Sequence, residues 1–220
     1  MSVKNILLKG VLPQILVGLE TDGAVGDSQV WLSDVQISKG DVCLIEAESG
    51  MGKSSLCSFL YGNRSDYEGV IAFDGIDARS LSVSKWCELR TSSLSLLPQE
   101  MRLFPELTVF ENIEIKNSLT DNKSQSEIIN MLDRLELSHK LNVPVAHLSI
   151  GQQQRVAIVR ALCQPYDFLI LDEPVSHLDT RNNELVAQLV VDEAGSKGAA
   201  IIVTSVGNPL HLQYTRQLSL

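Results

Sequence analysis

An α/β fold, a mixed sheet built on a parallel core with a helical subdomain inserted into it, follows from three features of the sequence. "VCLIEA" (residues 42–47) is a short unbroken apolar run, the pattern of a strand buried on both faces, and a glycine-rich turn and a helical stretch follow it directly. Two more such runs, "DFLILDEP" (167–174) and "AAIIVTS" (199–205), flank the helical pattern of "NNELVAQLVVDEA" (182–194), which gives β-α-β order. Between about residues 80 and 160 the pattern changes to helices joined by polar loops.

Taken in order, residues 1–20 are expected as one or two strands and "TDGAVGDSQ" (21–29) as a turn-rich loop, because Gly and Asp favour chain reversal. "VWLSDVQI" (30–37) alternates like an edge or sandwich strand and ends at the turn "KGD". After the glycine loop, "KSSLCSFLYG" is helical and stops at Gly62, and "GVIAFDG" (69–75) is a strand closing in a turn. "SQSEIINMLDRLEL" (124–137) carries apolar residues at helical spacing behind a Ser and a Glu that suit a helix start. "YTRQLSL" (214–220) is expected as the last strand.

The chain has 220 residues, 44% of them hydrophobic and 20% charged, an ordinary globular balance. Its net charge of −9 argues against a general nucleic-acid binder, which would carry a basic stripe. Cys43, Cys57, Cys87 and Cys163 form no C-x-x-C pair, so buried free thiols in a reducing compartment are expected rather than disulfides or a zinc site. No apolar run approaches bilayer length, and Lys9, Pro13 and Gln14 interrupt the only stretch that resembles a signal peptide.

Chemistry concentrates in three places. In "AESGMGKSS" (47–55), glycines let the backbone wrap round phosphate oxygens and the following helix aims its N–H groups at them. Ser49, Gly50, Gly52, Lys53, Ser54 and Ser55 are the expected cradle, with Lys53 reaching the β and γ phosphates and Ser54 ligating magnesium. A chance glycine turn is the alternative, and the preceding strand and following helix argue against it. "FLILDEP" delivers Asp172 and Glu173 to a strand end beside that loop, one to hold magnesium and one to accept a proton from an attacking water. "LSIGQQQR" (148–155) is a second anion-suited helix start, with Ser149, Gly151 and Gln152 at its head.

In this order, "SGMGKSS", "LPQE", "LSIGQQQR", "LILDEP" and "SHLD" resemble the motifs of ATP-binding cassette ATPases, the motor subunits of ABC transporters, over almost the whole chain. The resemblance implies a single domain over 1–220: a P-loop NTPase core with an antiparallel β-subdomain in 1–80 and 160–220, and a helical subdomain at about 81–159. It implies ATP and Mg²⁺ as ligands and a head-to-tail dimer, in which Ser149 of one copy caps the γ-phosphate held by the P-loop of the other. Gln99 matches the loop that senses magnesium and water, and Asp179 the loop that crosses the dimer interface; Asp179 also suits a helix N-cap before "RNNELV". "RLFPELTVFENI" (102–113) resembles the segment that receives a permease.

The pattern departs from the family at four points. Ala47 stands where the P-loop wants glycine, and Ile150 replaces a glycine of the signature; each matters if φ is positive there. Ser205 stands where the family places a switch histidine, and loss of one such polar group typically costs on the order of 10²–10³ in rate. No aromatic residue precedes Trp31 to stack adenine, and the register of Trp31 lies too close to "VCLIEA".

The expected function is the ATPase subunit that drives an integral membrane permease, similar to the stand-alone lipoprotein-release, macrolide-efflux and cell-division types, with no regulatory domain after the last strand. It would sit in the cytoplasm, peripheral on the inner membrane face, as a homodimer or as a heterodimer with another ABC ATPase. The alternative is a degenerate module that binds ATP and hydrolyses it slowly or not at all. A cassette acting on ribosomes or DNA would want tandem cassettes or basic arms.

Overall fold

The computed structural model describes residues 2–18 and 23–220. Part of the loop expected at 21–29, and the end of the strand region expected at 1–20, lie outside the described residues. In chain order the elements are β1 (Asn5–Pro13), α1 (Gly23–Gly26), β2 (Asp34–Ser38), β3 (Val42–Glu46), α2 (Lys53–Leu60), β4 (Tyr67–Phe73) and β5 (Ile76–Asp77). They continue through α3 (Val83–Ser92), β6 (Leu94–Leu97), α4 (Val109–Asn117), α5 (Gln125–Arg134), α6 (Ile150–Leu162), β7 (Phe168–Asp172), α7 (Thr180–Lys197), β8 (Ala200–Ser205) and β9 (Arg216–Ser219).

Antiparallel and parallel strands occupy separate sheets. One has the order β2-β1-β4-β5, with antiparallel pairing throughout. The other has the order β6-β7-β8-β3-β9, with parallel pairing throughout. In the first, Ile6 faces Ile37 and Phe73 across the ladders and Leu8 faces Val35 and Ile71, so every second residue enters the core. The register shifts between Lys9 and Leu12. There Gly69 (φ +79) crosses Gly10 so closely that a Cβ would lie 2.2 Å from Gly10 O, so no other residue fits.

The central strands β3, β7 and β8 of the parallel sheet are buried on both faces, which is why they read as unbroken apolar runs, while β9 at its edge is polar and partly exposed. On β7, Leu169 and Leu171 pack with the apolar residues of α4–α7, while Phe168 and Ile170 pack with α2, α3 and the antiparallel sheet. β8 divides in the same way, Ile201 and Val203 against Ala200 and Ile202.

Two expectations change. Leu94–Leu97, within the stretch assigned to the helical subdomain, pairs with β7 as an edge strand of the parallel sheet. Its four residues are too few to display a period, and its one polar member, Ser95, is satisfied by donating to Ala161 O at 2.6 Å. The inserted helices are therefore α4, α5 and α6, beyond the "LPQE" turn. "VWLSDVQI" contributes strand only from Asp34 onward, because Leu32 turns the chain at φ +58 and Trp31 folds into the core. The helix expected at "SQSEIINMLDRLEL" starts as read: Ser124 caps Glu127 N, and the Glu127 carboxylate accepts from Ser124 N at 2.8 Å. Cys43, Cys57 and Cys163 are buried and Cys87 is exposed, all as free thiols.

Candidate nucleotide-binding site

The strand order places the site. β8 lies between β3 and β7, with Glu46 beside Ser205 and Asp172 beside Thr204, so the turn after β3 and the acid pair after β7 share one end of the sheet. The turn reaches α2 through Gly50 (φ +87) and Gly52 (φ +95), and Gly52 caps the helix with no side chain on its first donors. Those N–H groups and the positive end of the helix dipole face an open cavity of about 220 Å³, lined by residues of the turn together with Gln99 and Glu173.

Ser49, Gly50, Gly52, Lys53, Ser54 and Ser55 all line this cavity. Lys53 is only 4% exposed, and its ammonium donates to Ala47 O at 3.0 Å and Glu48 O at 2.8 Å and lies 3.7 Å from Glu173 Oε1. Ser54 Oγ donates to Gln99 Oε1 at 3.4 Å, and Gln99 Nε2 donates to Glu173 Oε2 at 3.3 Å. Three residues far apart in sequence thus form one polar chain across the cavity. Asp172 is buried and borders an adjacent cavity with Ser54 and Gln99. A hydroxyl, an amide oxygen and a carboxylate are hard oxygen donors, and that set fits Mg²⁺ held jointly with phosphates.

Two residues that the sequence did not single out hold these groups. Thr204 Oγ1 donates to Asp172 Oδ1 at 2.7 Å and accepts from Glu173 N at 3.2 Å. Gln154 Nε2 donates to Glu173 O at 3.1 Å. Between them they fix Glu173 at φ +48, a left-handed conformation that costs a non-glycine residue on the order of 1–3 kcal/mol and aims the carboxylate off the strand end. The β8 register, with Thr204 opposite Asp172, carried the signal for the first. Helical spacing from Gln154 to buried Ala157 and Ile158 carried it for the second. Beneath the site, burial pushes the Cys57 thiol well above its ordinary pKa and the Asp172 charge adds to this, so the thiol stays neutral.

The signature residues stand apart from this cavity. Ser149 caps α6 by accepting from Gln152 N at 3.3 Å, while Gln152 Oε1 accepts from Ser149 N at 3.0 Å. Gly151 abuts the loop after β7, where a Cβ would lie 3.0 Å from His177 O. Asp179 caps α7, accepting from Asn182 N at 2.8 Å, and that bond holds its carboxyl below the usual range. Ser205 sits at the end of β8, 2% exposed and outside the cavity lining, its hydroxyl without a partner among the described residues and its carbonyl accepting from Ala47 N at 3.3 Å.

The departures resolve physically. Neither Ala47 nor Ile150 has a positive φ, so neither replacement strains the backbone, and Ile150 is 53% exposed. Trp31 is buried beneath the P-loop, donating from Nε1 to Met51 O at 3.2 Å and lying 3.0 Å from where a Cβ on Gly52 would be. It buttresses the loop and presents no face to adenine.

Fold and site together define an α/β P-loop ATPase with an inserted helical subdomain. The family model described as ABC transporter matches residues 32–176. The lipoprotein-releasing system ATP-binding protein LolD of Buchnera aphidicola subsp. Schizaphis graminum is 35% identical over 176 residues, spanning 78% of this chain and 76% of that protein. LolD of Shewanella frigidimarina is 30% identical over 202 residues, 90% of this chain and 84% of that one. Among solved structures, dimeric MJ0796, a bacterial ABC transporter cassette, superposes with a TM-score of 0.76 at 28% identity, over 91% of this chain and 87% of that chain. A post-hydrolysis MJ0796 dimer bound to ADP and Pi shares the fold, with a TM-score of 0.74 at 24% identity over 91% and 87%. The chain belongs to the ABC transporter family, as an ATP-binding ATPase subunit.

Proposed function

We propose that this ATPase binds Mg·ATP between two head-to-tail copies and hydrolyses it slowly to drive an integral membrane permease, as a peripheral subunit on the inner face of the membrane. The observation that carries this reading is the Ser54–Gln99–Glu173 hydrogen-bond chain across the cavity at the start of α2. Lys53 exchanges its carbonyl partners for the β and γ phosphates, and the α2 donors hold phosphate oxygens. Ser54, Gln99 and Asp172 would hold Mg²⁺, which neutralises phosphate charge. Glu173 takes a proton from water as the water oxygen bonds the γ-phosphorus and the bond to the β–γ bridging oxygen breaks, leaving ADP and phosphate. Gln99 aligns that water.

The separation of Ser149, Gly151, Gln152 and Asp179 from the cavity within one chain supports a composite site, closed only when a second copy brings its α6 to the phosphate. The permease contact fits the segment around Phe104. That ring is half exposed, while Asn112 pins its backbone by accepting from Phe104 N at 2.8 Å and donating to Phe104 O at 3.0 Å. Among the described residues no helix is long and apolar enough to cross a membrane. The lipoprotein-release relatives suggest that the permease extracts or moves a membrane-embedded cargo.

Steady-state ATPase measurements on wild type and Glu173→Gln, with and without the permease, test the reading. Wild type is expected to exceed Glu173→Gln by at least about 10²-fold in kcat. Ser205 favours a second reading, a module that binds ATP and clamps without turnover, and wild type no faster than Glu173→Gln would establish it.

A further inference from the structure

A histidine stands four residues beyond Glu173, in the loop between β7 and α7, and its ring is held by a relay. Gln154 organises the loop: Nε2 donates to Glu173 O at 3.1 Å and to Ser176 Oγ at 3.3 Å, and Oε1 accepts from His177 N at 3.1 Å. Ser176 Oγ lies 3.0 Å from His177 Nδ1. The hydroxyl has a proton free to donate to Nδ1, and in the tautomer that accepts it the ring carries its hydrogen on Nε2. His177 is exposed, and Nε2 has no partner among the described residues. The loop therefore holds an exposed imidazole by its Nδ1, leaving Nε2 free among the described residues, while the carbonyl of the same residue packs against Gly151 in the first turn of α6. The side chains of His139, His147 and His211 make no hydrogen bond among the described residues, so this is the one imidazole held by such a relay.

Ser205 closes β8 in the same chain. At this strand end a buried hydroxyl has no partner among the described residues, and Ser205 does not line the cavity. The chain lacks an imidazole where β8 ends and carries one in the loop packed on the start of α6, held at Nδ1 by Ser176 with Nε2 unpaired among the described residues.

We propose that His177 of one copy donates its Nε2–H to the γ-phosphate bound at the P-loop of the other copy, supplying across the dimer the imidazole that position 205 lacks. This rests on the head-to-tail reading above. It makes His177 a catalytic residue acting in trans, responsible for most of the turnover that remains.

The test is steady-state ATPase of the full chain over a range of Mg·ATP for wild type, His177→Ala, His177→Gln, Ser205→His and the Ser205→His/His177→Ala double variant. His177→Ala is expected to lower kcat at least tenfold with KM for ATP within about threefold. The glutamine variant, which keeps an N–H donor, should lose less. Ser205→His should restore the double variant to at least half of wild-type kcat, a recovery that damage to the loop would not allow. A His177→Ala kcat within twofold of wild type, or no recovery by Ser205→His, overturns the proposal. Size-exclusion of Glu173→Gln and Glu173→Gln/His177→Ala in Mg·ATP separates it from the reading beneath it. Both dimeric is the expected result. A monomeric Glu173→Gln sinks the composite site and the proposal with it, and a monomer only in the double variant assigns His177 to assembly and overturns the catalytic role.

Discussion

α2 and α6 both begin at a turn suited to an anion, yet they are finished differently. α2 starts from Gly52, whose left-handed φ and missing side chain leave the first N–H groups unclaimed. α6 starts from Ser149, and the reciprocal bonds between Ser149 and Gln152 claim the Gln152 and Ser149 N–H groups. One helix start is an open cradle and the other is a closed clasp. Phosphate meets α2 without displacing a cap, whereas a ligand that takes the Gln152 N–H or the Ser149 hydroxyl at α6 competes with the cap.

The sharpest way to break that comparison is to damage each start separately. Gly52→Ala forces a Cβ into a φ of +95 and to within 3.0 Å of the Trp31 ring, in a loop whose shape is the phosphate site. ATP affinity of the single subunit is expected to fall at least tenfold by calorimetric titration. Ser149→Ala should leave that affinity within twofold while kcat falls on the order of 10²-fold, because the proposed composite site uses Ser149 only in the closed dimer. The loss of the cap should also lower stability by about 1 kcal/mol. Equal losses of binding in both variants would show that α6 shares the first capture step.

A second experiment exploits the identity of the residue that closes the clasp. α4 and α5 carry the same capping box with Glu111 and Glu127 in the role of Gln152. In both, the bond from the cap's backbone N–H holds the carboxyl low, Glu127 at about 2. A carboxylate is the better partner for a helix start, so glutamine at 152 concedes stability. On the proposed head-to-tail reading, a fixed negative charge there would meet the γ-phosphate. Gln152→Glu is expected to raise Tm by about 1–2 °C at pH 7 and to lower kcat by about tenfold. The sign with pH follows from a depressed carboxyl. The added stability is present above the unfolded glutamate pKa of about 4.3 and disappears as pH falls through the folded value. Unchanged turnover in Gln152→Glu would mean that the start of α6 never approaches the phosphate.

The same contrast explains which parts of the site were legible in the sequence. The P-loop could be read because glycine, lysine and serine are required there by backbone shape and charge, and Asp172 and Glu173 because a strand buried on both faces must end abruptly in polar residues. Thr204 and Gln154 act through geometry that appears only when strands and helices assemble: one sits opposite Asp172 across a ladder, and the other is the buried member of a run of three glutamines. Leu94–Leu97 escaped recognition because four residues cannot show a period, and Trp31 because alternation carried the expected strand through a residue that turns downward. The conformations of Ala47 and Ile150 were open questions in the sequence, since composition fixes neither φ.

The smallest expected effect comes from Ile150. A β-branched residue in place of a signature glycine suggests damage to α6, but Ile150 is the first residue of a regular helix, with φ in the ordinary negative range and half its surface in solvent. Its side chain can disturb the site only by bulk at the edge of the clasp, because the N–H groups that would face a phosphate belong to backbone already in helical shape. Gly151, one residue on, is the position with no room, its missing Cβ leaving space for His177 O. Ile150→Gly is therefore expected to change kcat by less than about threefold and to cost less than about 1 kcal/mol in thermal unfolding, the ordinary helix penalty of glycine. A tenfold gain in turnover would place Ile150 in the path of the closing dimer. It would also mean that the clasp at α6 is held shut sterically as well as by its cap.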